Sequence, residues 1–178
     1  MIKYLFVFVF IFVFAWFDKS LGYTTTSPVY THFTYMFQHA GIIHLVINSL
    51  AFIGMFRAVE KYINKWILSG ICIFFAFLLS FFSSYDIPTV GASSMIYIMI
   101  GMFLSITLFY KKVKINDKRK YLLFITSIFL SLLVSAFKHN SNFLLHVLSI
   151  SSGIIIGLIF LIKKSFIAKT KYVKTLPN

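Results

Sequence analysis

Polar residues are sparse along this chain, and they punctuate long apolar runs at 4–17, 37–56, 66–82, 93–110, 121–137 and 143–162. A helix that crosses the hydrocarbon core of a bilayer takes about 17–25 residues. By that measure the first run is short, the third and fifth sit at the lower limit, and the others fit comfortably. Lys3 and Asp18 can lengthen the first run by extending their polar ends to the interface. The pattern predicts an all-α membrane protein with six transmembrane helices. The alternative for the first run is a signal peptide, with Ser20 and Gly22 as a small-x-small cleavage site, which would leave five spans.

Composition agrees with that pattern: 60% of the 178 residues are hydrophobic and only 12% are charged, against about a quarter charged in soluble domains. A net charge of +13 would suit nucleic acid, but the basic residues form no nucleic-acid-reading motif and lie beside the apolar runs. With the N-terminus inside, fifteen lysines and arginines fall on the cytoplasmic side and two, Lys19 and Lys138, outside. This asymmetry predicts that both termini are cytoplasmic. The run KKVKINDKRK is then a cytoplasmic loop that anchors orientation against the lipid bilayer. A single domain over 1–165 is expected, followed by a basic cytoplasmic tail at 166–178 that frays after Lys163. The lone Cys72 cannot form a disulfide within the chain and reads as a packing residue.

Polar side chains at membrane depth cost free energy unless something uses them. Three stretches place such residues at a similar level, a few positions below the outer surface: HAGIIHLVIN (39–48), VGASSMIY (90–97) and LLHVLSISSGIIIG (144–157). His44 and Asn48 are four apart and share a helix face. His39, five before His44, would lie about 140° around the same helix and makes a poor metal partner for it; it reads as a brace for the helix start. Ser93, Tyr97, Gly101 and Ser105 form one stripe, and His146, Ser149, Gly153 and Gly157 another. Helices with such faces approach closely, and packing them together would bring Ser93 to His146.

That pairing suits acyl transfer. A serine hydroxyl becomes a useful nucleophile when a neighbouring imidazole takes its proton. Ser93 follows Gly91 and Ala92 at a helix start, where free backbone N–H groups face a developing oxyanion. His44 and Asn48 are candidate side-chain donors to it, and Tyr97 a support under the imidazole. The four carboxylates, Asp18, Glu60, Asp86 and Asp117, lie away from His146, so a Ser–His dyad is the expectation.

These stretches resemble the rhomboid family of intramembrane serine proteases. The family's H-x4-H-x3-N matches His39, His44 and Asn48, its G-x-S matches Gly91, Ala92 and Ser93, and its sixth-helix histidine with spaced small residues matches His146, Ser149, Gly153 and Gly157. Tyr97 matches a tyrosine one turn after the serine, and Glu60 in RAVEK a glutamate near the end of the second helix. The likeness runs from about Thr31 to Phe160. It implies a six-helix rhomboid-like bundle, Ser93 as nucleophile, His146 as general base, and His44, Asn48 and the Ser93 N–H as oxyanion hole. It also implies cleavage in or next to the transmembrane helix of a single-pass membrane protein, without metal, nucleotide or other cofactor. The expected location is a bacterial inner membrane, with the active site open to the extracytoplasmic side. Ser94 and Ser149 replace usual glycines, Thr31 stands where many relatives have arginine, and the first loop lacks a Trp-Arg pair.

Other intramembrane proteases fit less well. H-E-x-x-H is absent, as is a pair of membrane aspartates, and a proton-coupled transporter would place acids near the midplane. The competing reading is a catalytically inert rhomboid-like protein that binds transmembrane helices. Such relatives usually lose the serine or the histidine, and both are present here.

Overall fold

The computed structural model describes residue 17 and residues 19–83, 85–109, 118–137 and 141–174. Residues 4–16 of the first apolar run, Asp18, His139 and most of KKVKINDKRK lie outside them. The described residues form six helices: α1 (Thr31–Thr34), α2 (Ile42–Val59), α3 (Lys65–Ser80), α4 (Ser93–Phe109), α5 (Lys118–Phe137) and α6 (Phe143–Lys174). No strand occurs among them; Tyr23 and Thr89 form one isolated antiparallel bridge. Of the helices, α2 and the stretch 143–163 of α6 are long and apolar enough to cross a membrane.

Caps set several of the boundaries. The Asn64 side chain accepts from the Trp66 N–H at 2.9 Å and starts α3. The Asn142 Oδ1 accepts from the Leu145 N–H at 3.0 Å and starts α6. The second helix begins at Ile42, later than the apolar run suggested, because the backbone of Gly41 is extended (φ 164°, ψ 173°). At the other end of the chain α6 runs on to Lys174, so the frayed tail expected after Lys163 is helical there.

α4 is the central helix. It buries residues on every side, Met95, Ile98, Met99, Met102 and Ile106 among them, as a predominantly apolar helix does inside a bundle. Its closest neighbour is α6. A methyl group on Gly153 would overlap the Ile98 carbonyl oxygen, and one on Gly101 the Ile150 carbonyl oxygen. Without those glycines the two backbones could not approach so closely. The Ser105 hydroxyl then donates across the contact to the Ile154 carbonyl at 2.8 Å.

The outward faces carry the opposite pattern from a soluble protein. Ile43, Ile47 and Leu50 on α2, and Ile155, Ile159 and Ile162 on α6, are exposed at helical spacing. Such stripes fit a lipid solvent and would be a liability in water.

The connection before α2 folds back over the ends of α3 and α6. His32 is sandwiched between the rings of Tyr23 (4.7 Å) and Phe81 (4.1 Å), with its Nδ1 2.9 Å from the Ser80 hydroxyl. Burial holds this histidine below its ordinary pKa. The Asn142 Nδ2 shares its two hydrogens among the Ser83 carbonyl (2.6 Å), the Tyr23 hydroxyl (3.0 Å) and Thr89 Oγ1 (3.1 Å). Leu21 N–H donates to Gln38 Oε1 at 2.7 Å. Aromatic stacking and one asparagine thus tie down the connection before α2.

Candidate functional site

The site forms where the starts of α2, α4 and α6 meet. Gly91 sits at φ +119°, a conformation side-chain-bearing residues rarely adopt. It lies so close to α2 that a Cβ there would be 2.8 Å from His44 Cε1 and 3.5 Å from Asn48 Nδ2. Its N–H donates to the Tyr35 carbonyl at 2.8 Å. This turn delivers Ser93 to the first position of α4, where its backbone N–H has no carbonyl within the helix to reach.

Ser93 Oγ is 2.9 Å from His146 Nε2. The imidazole lies against the Tyr97 ring, with centroids 4.5 Å apart and planes 33° from parallel. The Tyr97 hydroxyl is 2.9 Å from Ser131 Oγ, and His146 Nδ1 is 2.7 Å from Ser135 Oγ. Ser135 is buried and lies 2.6 Å from Ser141 Oγ. A hydroxyl held against an unprotonated ring nitrogen can give up its proton to it, so the pair is geometrically competent for nucleophilic chemistry.

On α2, His44 Nδ1 accepts from the Ala40 N–H at 3.3 Å. A neutral ring with Nδ1 accepting carries its proton on Nε2, which faces the Gly91 turn as a donor. Asn48 Nδ2 is buried beside the same turn with no hydrogen-bond partner. A buried donor left unpaired is uncommon, and functional sites are one place where it occurs.

His39 corrects the helical-wheel argument. It precedes α2, and the turn at Gly41 folds it back so that its ring stands edge-on to His44 with centroids 5.3 Å apart. Both of its ring nitrogens are buried without a partner that meets hydrogen-bond geometry. Among the described residues, no group of three or more His, Cys, Asp or Glu could hold a metal ion. Glu60 caps the far end of α2, about 24 Å from His44 at 1.5 Å per residue, and is not brought to the site. Gly101, Gly153 and Gly157 lie in the α4–α6 contact. Ser149 is fully buried with its hydroxyl unpaired.

Four residues that touch the site went unnoticed in the sequence: Tyr35, Ser131, Ser135 and Ser141. The Tyr35 hydroxyl is 2.7 Å from Ser94 Oγ and donates to the Ala76 carbonyl at 2.9 Å. The Ser94 hydroxyl thus ties the α4 start to α3 through Tyr35. Ser131 and Ser135 did leave a signal, since Ser127, Ser131 and Ser135 recur every four residues and so mark one face of α5.

The link predicts a specific cost. Tyr35→Phe leaves the Ser94 hydroxyl buried without its partner and is expected to lower stability by about 1–3 kcal/mol. Adding Ser94→Gly should recover part of it. Thermal unfolding of the two single variants and the double variant checks this, and strictly additive losses would mean that the pair is uncoupled.

Fold and site together define a helical membrane protein with a serine and a histidine paired between two tightly packed helices. Compared with known families, residues 26–163 match the Rhomboid domain. The chain belongs to the rhomboid family, whose members are generally intramembrane serine proteases. No curated protein matches it.

Proposed function

We propose that this protein is an intramembrane serine endopeptidase that cuts a peptide bond in or next to the transmembrane helix of a single-pass membrane protein. The observation that carries this reading is the 2.9 Å contact between Ser93 Oγ and His146 Nε2, made across the α4–α6 interface. Ser93 Oγ attacks the carbonyl carbon while its proton passes to Nε2. The oxyanion that forms is met by the Ser93 N–H, His44 Nε2–H and the Asn48 amide. His146 then returns the proton to the leaving amine, and water hydrolyses the acyl-serine by the same base. Tyr97 keeps the imidazole in plane for both transfers.

The excess of lysine and arginine in the segments assigned to the inside supports cytoplasmic termini. The site then opens to the extracytoplasmic side, in our reading of a bacterial inner membrane. The bilayer is the second partner, through the exposed apolar stripes of α2 and α6.

A serine-reactive fluorophosphonate tests the reading without a known substrate. Labelling of the parent that vanishes in Ser93→Ala supports it; a folded parent that does not label is an inert helix-binding rhomboid. Asn48→Ala is expected to weaken proteolysis of a model transmembrane substrate without abolishing it. One oxyanion donor contributes about 3–4 kcal/mol at most, a factor of roughly 10²–10³ in kcat. Undiminished turnover would remove Asn48 from the oxyanion hole.

A further inference from the structure

A neutral imidazole has one ring proton, and it can take the Ser93 proton at Nε2 only if its own sits on Nδ1. Something must hold it there. Of the acids among the described residues, Asp86 accepts from Thr25 Oγ1 at 2.8 Å and Glu60 caps the far end of α2. The atom that meets His146 Nδ1 is instead Ser135 Oγ, at 2.7 Å.

We propose that Ser135 is a positioning residue: its hydroxyl oxygen accepts a hydrogen bond from the Nδ1–H of His146 and, with Ser141, fixes the tautomer that leaves Nε2 open to Ser93. This rests on the reading of Ser93 and His146 as nucleophile and base. A hydroxyl can accept or donate, so Ser135 alone would not choose a tautomer. Ser141 Oγ lies 2.6 Å from Ser135 Oγ, and in the proposed arrangement it receives the Ser135 hydrogen and leaves the Ser135 lone pairs for Nδ1–H. Donation then runs one way, from Ser93 to His146 to Ser135 to Ser141. Ser135 is 5% exposed, so the bond sits in a low-dielectric setting where a hydrogen-bond chain is strengthened. When His146 becomes an imidazolium, both nitrogens donate and the Ser135 contact persists. The Nδ1 proton never leaves the ring.

The same helix holds the imidazole from a second direction, because Ser131, one turn before Ser135, meets the hydroxyl of Tyr97. α5 thus supplies one hydroxyl to the base itself and one to the Tyr97 ring that lies against it. Serine takes the place a carboxylate occupies in many serine hydrolases, and a neutral acceptor implies a smaller contribution than a charged one.

Two measurements test this in the full-length protein. In steady-state cleavage of a model transmembrane substrate, Ser135→Ala is expected to lower kcat about ten- to a hundredfold with little change in KM, well short of the roughly 10⁴-fold loss that follows a wrong tautomer in an aspartate-based triad. Ser135→Thr, which keeps the hydroxyl, should restore most of it. Unchanged kcat in Ser135→Ala, or a lower melting temperature with no rescue by threonine, would overturn the proposal. Nitrogen NMR of protein carrying ¹⁵N-histidine, with His146 assigned by its loss in His146→Gln, reads the tautomer without turnover. Protonation at Nδ1 in the parent, reduced in Ser135→Ala, supports the assignment, and protonation at Nε2 refutes it. A parent with the Nδ1 tautomer that neither cleaves nor labels would end the protease reading while leaving the role of Ser135 in the hydrogen-bond chain intact.

Discussion

Ser93→Ala and His146→Ala are each expected to lower cleavage of a model transmembrane substrate by at least about 10⁴-fold while the protein stays folded in detergent. In a serine protease nucleophile and base act as one unit, and losing either costs close to the whole catalytic gain. Without Oγ no acyl intermediate can form; without the imidazole the hydroxyl keeps its proton. Ser93 is only half-buried, so alanine removes one hydroxyl and leaves little cavity. Activity should therefore disappear without a matching fall in melting temperature. Initial rates on a fluorogenic transmembrane peptide, measured beside thermal unfolding, separate the two. Cleavage at parental rates by either variant would exclude the dyad, whatever the geometry.

Gly153→Ala is expected to cost about 3 kcal/mol, the upper part of the usual range for an overpacked interior. The added methyl meets the carbonyl oxygen of Ile98, with the Ile98 carbonyl carbon at 2.9 Å and Cα at 3.0 Å. These are backbone atoms of α4 and cannot rotate aside as the end of a long side chain would. The two helices must separate, and Ser93 and His146 separate with them. Gly54→Ala is the control: it adds the same methyl on α2, where nothing lies within 4 Å, and helix propensity there favours alanine. Denaturant titration in detergent should show a large loss for Gly153→Ala and none for Gly54→Ala. Equal stability of the two variants would mean that α4 and α6 do not pack as closely as described.

The helices and the participants at the site were legible because each leaves a local trace. A run such as 143–162 is too apolar for a soluble surface, and His146 within it has no packing role that demands an imidazole. The spacing of Ser93 from Tyr97, and of His146 from Gly153, is a helical period that a sequence displays directly. The wheel angle of about 140° does not apply to His39, because it assumes a helix already running at residue 39, whereas the extended backbone at Gly41 delays it to Ile42. Serines carry little information of their own, so the Ser127, Ser131, Ser135 stripe passed unremarked beside the glycine-rich ones.

By itself, then, the sequence determined a helical membrane protein, the three polar stretches at one level, and a serine and histidine on small-residue faces that allow close approach. Periodicity and hydropathy are properties of neighbours along the chain, and they survive without any tertiary contact. Only the tertiary structure decided which hydroxyl meets His146 Nδ1, how Tyr35 absorbs the hydroxyl of Ser94, and how His32 and Asn142 secure the connection before α2. Each of these joins residues distant in sequence through a hydrogen bond of about 3 Å, a length that admits little error in helix rotation or depth. No pattern along one segment fixes the rotation of another against it; that is set by where the backbones of α4 and α6 can touch.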